Sequence, residues 1–163
     1  LDQLDCSLQN SARPEEVEFA LWLHDAIYDT QRTDNEQRSA RYAERILREA
    51  GCSADVIHRV GGNIAATAHV AITDGVDEQL TADIDLSIFG RSTQEFERYE
   101  ASIRTEYEWV DRPIYCRKRI EVLRTFLSRK RIYSTSWYAE RYESRARLNL
   151  NAAVERLAKD VEA

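Results

Sequence analysis

The run Val17-Glu18-Phe19-Ala20-Leu21-Trp22-Leu23-His24-Asp25-Ala26-Ile27-Tyr28 decides how the chain is read, because all of it except Glu18, His24 and Asp25 is apolar. Pro14 suits the first turn of a helix, so one helix is expected from there to about Tyr28, buried nearly all round. His24 and Asp25 would then sit in its centre. A buried carboxylate is costly unless it is paired, hydrogen-bonded or bound to a metal. On composition alone two readings of the pair stand: a mutually satisfied core pair, or ligands of one ion approached from directions about 100° apart.

Outward from this run, apolar residues recur at helical spacing nearly throughout, and the start and stop signals predict seven or eight helices. A short opening helix is expected around Leu4 to Leu8. Asp34 with Gln37 reads as an N-cap, and the helix it opens ends where Gly51 can take a left-handed conformation. Ser53 caps a helix carrying Val56, Ile57, Val60, Ile64 and His69, with Gly61-Gly62 allowing close approach of another element. A short helix follows Thr73 to Val76 and ends at Gly90. Ser92 and Glu95 form a capping box for a helix to about Val110, Pro113 starts another, and the last begins near Ser134 to Ser136. In that final helix Tyr138, Tyr142, Leu148 and Leu157 are the expected apolar positions.

The 163 residues, 43% of them hydrophobic, are enough for one sizeable core, and only five Gly and two Pro leave few of the turns an all-β fold needs. The expectation is an all-α, single-domain irregular helical bundle over residues 1–163. Cys6, Cys52 and Cys116 are odd in number and widely spaced, which fits neither a disulfide framework nor a zinc finger and favours a cytoplasmic setting. No signal segment or membrane span is apparent, so no membrane partner is expected. No Met occurs anywhere, and the natural chain is expected to begin upstream of Leu1. The net charge of −6 argues against general nucleic-acid binding. Between Arg112 and Arg147, however, eleven Arg or Lys face only Glu121, Glu140 and Glu143, a balance of +8 that reads as solvated helix faces or as a phosphate-facing patch.

The stretch Ala20 to Asp29 with its His24-Asp25 doublet, followed by Asp34-Asn35-Glu36 and Ser39, resembles the HD superfamily of metal-dependent phosphohydrolases, and within it a bacterial subgroup of predicted phosphohydrolases. Thr67-Ala68-His69, Asp83-Ile84-Asp85-Leu86, Arg104-Thr105-Glu106-Tyr107, Arg117, Ile132-Tyr133 and Ala146 to Asn149 extend the resemblance over most of the chain. It implies an HD-type fold in which a first histidine, the doublet and a later aspartate hold the metal. His24 and Asp25 match the doublet. Asp83 and Asp85 lie about 200° apart on a helix and periodicity leaves both open; similarity to the family's Asp-Leu tail favours Asp85. No histidine precedes His24. The first ligand is expected in the missing upstream segment, failing which the site is incomplete.

The resemblance implies a divalent ion, one of manganese, magnesium, iron or zinc, held by His24, Asp25 and Asp85, and hydrolysis of a phosphomonoester or phosphodiester in a small phosphorylated substrate, nucleotides included. Asp25, His69 and Arg104 are the expected catalytic residues. His69 would serve a second metal or a substrate phosphate, and His58, eleven residues earlier, stands about 16 Å away if both lie on one helix. Asp29, Asn35 and Glu36 are placed to orient the ligands. Arg104, Arg117 and Arg145 are candidate phosphate clamps. The alternative function is a non-catalytic nucleotide- or metal-binding regulatory module on the same fold. A homodimer formed through Trp137, Tyr138 and Tyr142 is a third expectation.

Overall fold

The computed structural model describes residues 9, 11–71 and 73–162, without the side chain of residue 162. The described residues are all-helical, with seven α-helices, one 3₁₀ segment and no strand among them. The opening helix expected around Leu4 to Leu8, and Cys6 with it, lie outside the described residues. The helices are α1 (Pro14–Leu23), α2 (Asn35–Glu49), α3 (Ala54–Ala66), α4 (Val76–Asp85), α5 (Thr93–Glu106), α6 (Arg112–Leu127) and α7 (Ser136–Glu162), with the 3₁₀ segment Leu86–Gly90 following α4. None is long and apolar enough to cross a membrane. The chain divides into two compact units, Leu1–Asp85 and Leu86–Ala163.

In the first unit, α1 to α3 close around Ala20, Ala40, Ala43, Leu47, Val60 and Ile64. Three of these six are alanines, and small side chains let helix backbones come close. Both α1 and α2 pack against α3, and α3 against α4. Gly62 lies in that last contact: a Cβ there would stand 2.9 Å from Glu78 Oε1. Gly51 takes φ +79° after α2, and Ser53 accepts a hydrogen bond from the Val56 amide to open α3. Asp34 departs from its expected capping role. Its carboxylate takes both nitrogens of the Arg32 fork, at 2.7 and 2.8 Å, and makes no cap bond to α2.

The first helix also corrects the reading. It stops at Leu23, five residues short of Tyr28, and only Val17 and Ala20 of its residues are buried; Trp22 is 74% exposed. Continuation of the helix would have the Asp25 amide donate to the Leu21 carbonyl. That carbonyl instead meets His24 Nδ1 at 2.7 Å, and the Ala26 amide closes a tighter turn on Leu23 at 3.1 Å. His24 and Asp25 therefore lie at the mouth of a loop, not at the centre of a buried helix.

The second unit is built around aromatic rings. Phe89 meets Phe96 and Phe126 edge-on, at centroid distances of 6.2 and 5.1 Å. Asn149 on α7 donates to the carbonyls of Phe89 and Arg91, at 2.8 and 3.0 Å, which satisfies groups left open where the 3₁₀ segment ends. Gly90 is the point of closest approach, since a Cβ there would lie 2.5 Å from Tyr142 Cβ. The Ser92–Glu95 capping box forms, and α5 ends at Glu106 instead of Val110. Leu148, expected among the apolar positions of α7, is exposed. Tyr138 and Tyr142 are buried and stack with Tyr133 or one another, so those two rings build this unit's core and are not available as a dimer surface.

Candidate metal centre

Four polar side chains of the first unit converge from three places in the chain. His24 and Asp25 come from the turn after α1, Asp85 from the last position of α4, and His69 from beyond the end of α3. His24 Nε2 stands 3.3 Å from Asp25 Oδ2 and 3.3 Å from Asp85 Oδ1. On its other oxygen, Oδ2, Asp85 meets His69 Nε2 at 2.7 Å. Asp85, and not Asp83, is thus the carboxylate that meets both histidines; Asp83 is fully buried on the opposite shoulder of α4.

His69 reaches Asp85 through an unusual backbone. After α3 ends at Ala66, the amides of Thr67, Ala68 and His69 donate in turn to the carbonyls of Ile64, Ala65 and Ala66, a tightening typical of a helix end. His69 then takes φ +54°, and it is the non-glycine residue of the described chain with positive φ. Left-handed backbone costs a residue with a Cβ about 1–2 kcal/mol, so something must hold it there, and the short contact with Asp85 is one such restraint. The expectation that His69 lies on the same helix face as His58 fails, because the helix stops before His69; His58 is exposed on α3.

The electrostatics follow from two carboxylates around one ring. Hydrogen bonding to Asp25 first, and then to Asp85, holds the His24 imidazolium far above its ordinary value of 6.5, at about 10, against the opposing effect of burial. Burial pushes the Asp85 carboxyl up, but the hydrogen bonds from His24 and His69 more than reverse this and bring it to about 2. The cluster is graded from inside to outside: His69 is 13% exposed, His24 21%, Asp85 29% and Asp25 57%. Asp25 is the edge that solvent and solutes reach.

Two features bear on whether a divalent ion fits these groups. His24 donates Nδ1–H to the Leu21 carbonyl, which leaves Nε2 as the nitrogen turned toward the carboxylates. Metal-binding histidines are commonly oriented in this way. The second feature is spacing. Charge-assisted N–H···O contacts normally close to about 2.7–2.9 Å, and both contacts of Nε2 are longer. Ligands at about 2.1 Å from a four-coordinate ion stand about 3.4 Å apart. Two imidazoles and two carboxylates suit a borderline divalent ion. Among the described residues no group of three or more His, Cys, Asp or Glu side chains is already arranged to hold a metal; here the histidine stands between the carboxylates it would share an ion with. The donor chemistry fits, and the side chains are paired with one another.

Arg104 belongs to the second unit, where its guanidinium donates to the carbonyls of Tyr107 and Val110 and lies 4.7 Å over the Tyr115 ring. Those bonds close the end of α5, so Arg104 terminates a helix. Arg117 and Arg145 are exposed in the same unit. Periodicity, applied to a helix assumed to run on, missed the ring-to-carbonyl bond of His24. No family model matches the chain, and no curated protein or solved structure does either.

Proposed function

We propose that His24, Asp25 and Asp85 bind one divalent metal ion, of manganese, magnesium, iron or zinc, and that the site hydrolyses a phosphate ester of a small molecule, with nucleotides as the first substrates to try. The observation that carries this reading is the placing of His24 Nε2 at 3.3 Å from each of two carboxylates while Nδ1 is locked on a backbone carbonyl. An ion bound there supplies a Lewis acid for the phosphoryl oxygens and brings the pKa of water toward neutrality. The choice of phosphate esters follows the HD-type pattern of His24-Asp25, Asn35 and Ser39.

Within the site each residue has a separate task. His24 presents Nε2, with its tautomer set by Leu21 O. Asp85 contributes Oδ1, while His69 grips Oδ2 and prevents the carboxylate from rotating. Asp25, the most exposed of the four, would take a proton from the attacking water at the carboxylate oxygen not turned toward His24 and pass it to the leaving alkoxide as the P–O ester bond breaks. The Arg104 guanidinium is taken up by the carbonyls of Tyr107 and Val110, just past the end of α5.

A second reading is a non-catalytic metal- or nucleotide-binding module, favoured by the mutual pairing of all four side chains. Metal content and hydrolysis of a generic phosphate ester, measured together on the full natural chain and its Asp25→Ala variant, separate the two. Metal and activity that are both lost in Asp25→Ala support hydrolysis. Metal without activity supports the module as a metal binder, and a chain with neither removes the metal and the hydrolysis and leaves the nucleotide-binding module.

A further inference from the structure

Asp25 leaves α1 on a loop that no helix holds, yet a ligand is useful only if its carboxylate stays within a fraction of an ångström of its place. Two residues later the loop is tied down. The Ile27 amide donates to Ser39 Oγ at 3.1 Å, and Ser39 Oγ donates to the Ile27 carbonyl at 3.2 Å. The Asp29 amide donates to Asn35 Oδ1 at 3.1 Å, and Asn35 Nδ2 donates to the Asp29 carbonyl at 2.9 Å.

Residues 27 and 29 are spaced by two, and the N–H and C=O groups of both turn toward α2. Asn35 and Ser39 are four apart in the first turns of α2 and share one face. Both are buried, at 7% and 0% exposure. One amide and one hydroxyl thus each satisfy both backbone groups of the residue they face. Upstream, the Ala26 amide closes its turn on Leu23. Asp25 is held between that turn and the two ties, and Asn35 and Ser39 bond to the backbone of Ile27 and Asp29.

We propose that Asn35 and Ser39 are the positioning residues of Asp25, an inference that rests on the metal-centre reading above. They act through the loop backbone and touch neither metal nor substrate. Supporting residues of this kind change metal affinity by about 10–100-fold.

The test is a double-mutant cycle on Mn²⁺ affinity, measured by titration calorimetry on the full natural chain. Ser39→Ala and Asn35→Ala are each expected to weaken Mn²⁺ binding at least tenfold, and Ser39→Thr, which keeps the hydroxyl, to restore it. In an Asp25→Asn background the same substitutions are expected to change affinity less than twofold, since the group they place is no longer a ligand. A general structural role would lower affinity equally in both backgrounds, and that result overturns the proposal, as does a change below twofold in the Asp25 chain. If Ser39→Ala does not fold, Asn35→Asp, which keeps the acceptor and loses the donor, carries the cycle. A wild-type chain that binds none of Mn²⁺, Mg²⁺, Fe²⁺ and Zn²⁺ sinks the metal reading, and the positioning is then decided by the crystal structures of the variants. Asp25 moved beyond about 4 Å from His24, outside ion-pair distance, supports it; Asp25 still at 3.3 Å overturns it.

Discussion

Each unit of the chain holds a cluster of opposite charges, and the two are built on different terms. In the second unit Glu100 is buried and the Arg119 side chain is 11% exposed, Arg119 Nε and Nη2 both donate to the carboxylate, and Arg119 also lies over the Tyr99 ring. Burial alone would lower the Arg119 pKa, and hydrogen bonding to Glu100 raises it instead. The pair is closed by two hydrogen bonds between one cation and one carboxylate, at 2.5 and 3.4 Å. In the first unit one imidazolium is divided between two carboxylates at 3.3 Å, and the outermost carboxylate is more exposed than covered. A saturated pair has no capacity left for a ligand; two carboxylates sharing one ring do. The difference between a structural ion pair and a candidate site thus lies in how completely the charges are spent, and much less in their number.

The strongest way to break this comparison is to remove one partner from each cluster. Glu100→Gln leaves the Arg119 charge buried without its counter-ion and is expected to cost about 3–5 kcal/mol of stability, read by denaturant unfolding, with metal affinity unchanged. Asp85→Asn is expected to reduce divalent-metal affinity by roughly 100-fold or more, exceeding the range for supporting residues, while the protein stays folded. Loss of metal in Glu100→Gln, or its retention in Asp85→Asn, would erase the distinction.

A smaller effect comes from pH. In chelator-treated protein His24 titrates at about 10, above its ordinary 6.5, so the stability contributed by its imidazolium is fully present below pH 6.5 and is lost as the pH rises through 10. Asp85 titrates at about 2, below its ordinary 3.8, so its contribution is fully present above 3.8 and is lost as the pH falls through 2. Melting temperatures recorded from pH 6 to 10.5 should therefore fall faster for wild type than for Asp25→Asn, which removes the first cause of the His24 shift. Parallel curves would show that His24 does not feel Asp25. The smallest effect is expected at Lys118 and Glu121, an exposed pair 2.9 Å apart on α6. Lys118→Ala should change stability by less than about 0.5 kcal/mol, in contrast to the buried pair one residue along the same helix.

Punctuation and periodicity made most of the helices legible. Gly51, Ser53 and the Ser92–Glu95 box act through local backbone geometry, and the structure places all three as their chemistry requires. The end of α1 was not legible, because the apolar run from Phe19 to Tyr28 satisfies a helical pattern on both sides of the true stop. What ends the helix is a contest for the Leu21 carbonyl, which the His24 ring occupies. Likewise Asp34 has the spacing of an N-cap, but Arg32, two residues away, offers its carboxylate a stronger partner than a backbone amide.

By itself, then, the sequence determined an all-helical chain, its principal caps, and the residues with ligand chemistry, because propensity, capping and side-chain donors are properties of local composition. Only the tertiary structure decided between Asp83 and Asp85 as the carboxylate near His24, since the two sit symmetrically about one helical stripe. It also decided that His69 leaves its helix at φ +54° to reach Asp85, and that Asn35 and Ser39 hold the loop behind Asp25. Those outcomes depend on how far α1 runs before it turns and on what α2 offers the freed backbone. Such contacts join residues 6 to 16 positions apart through space, and no helical or strand period encodes them.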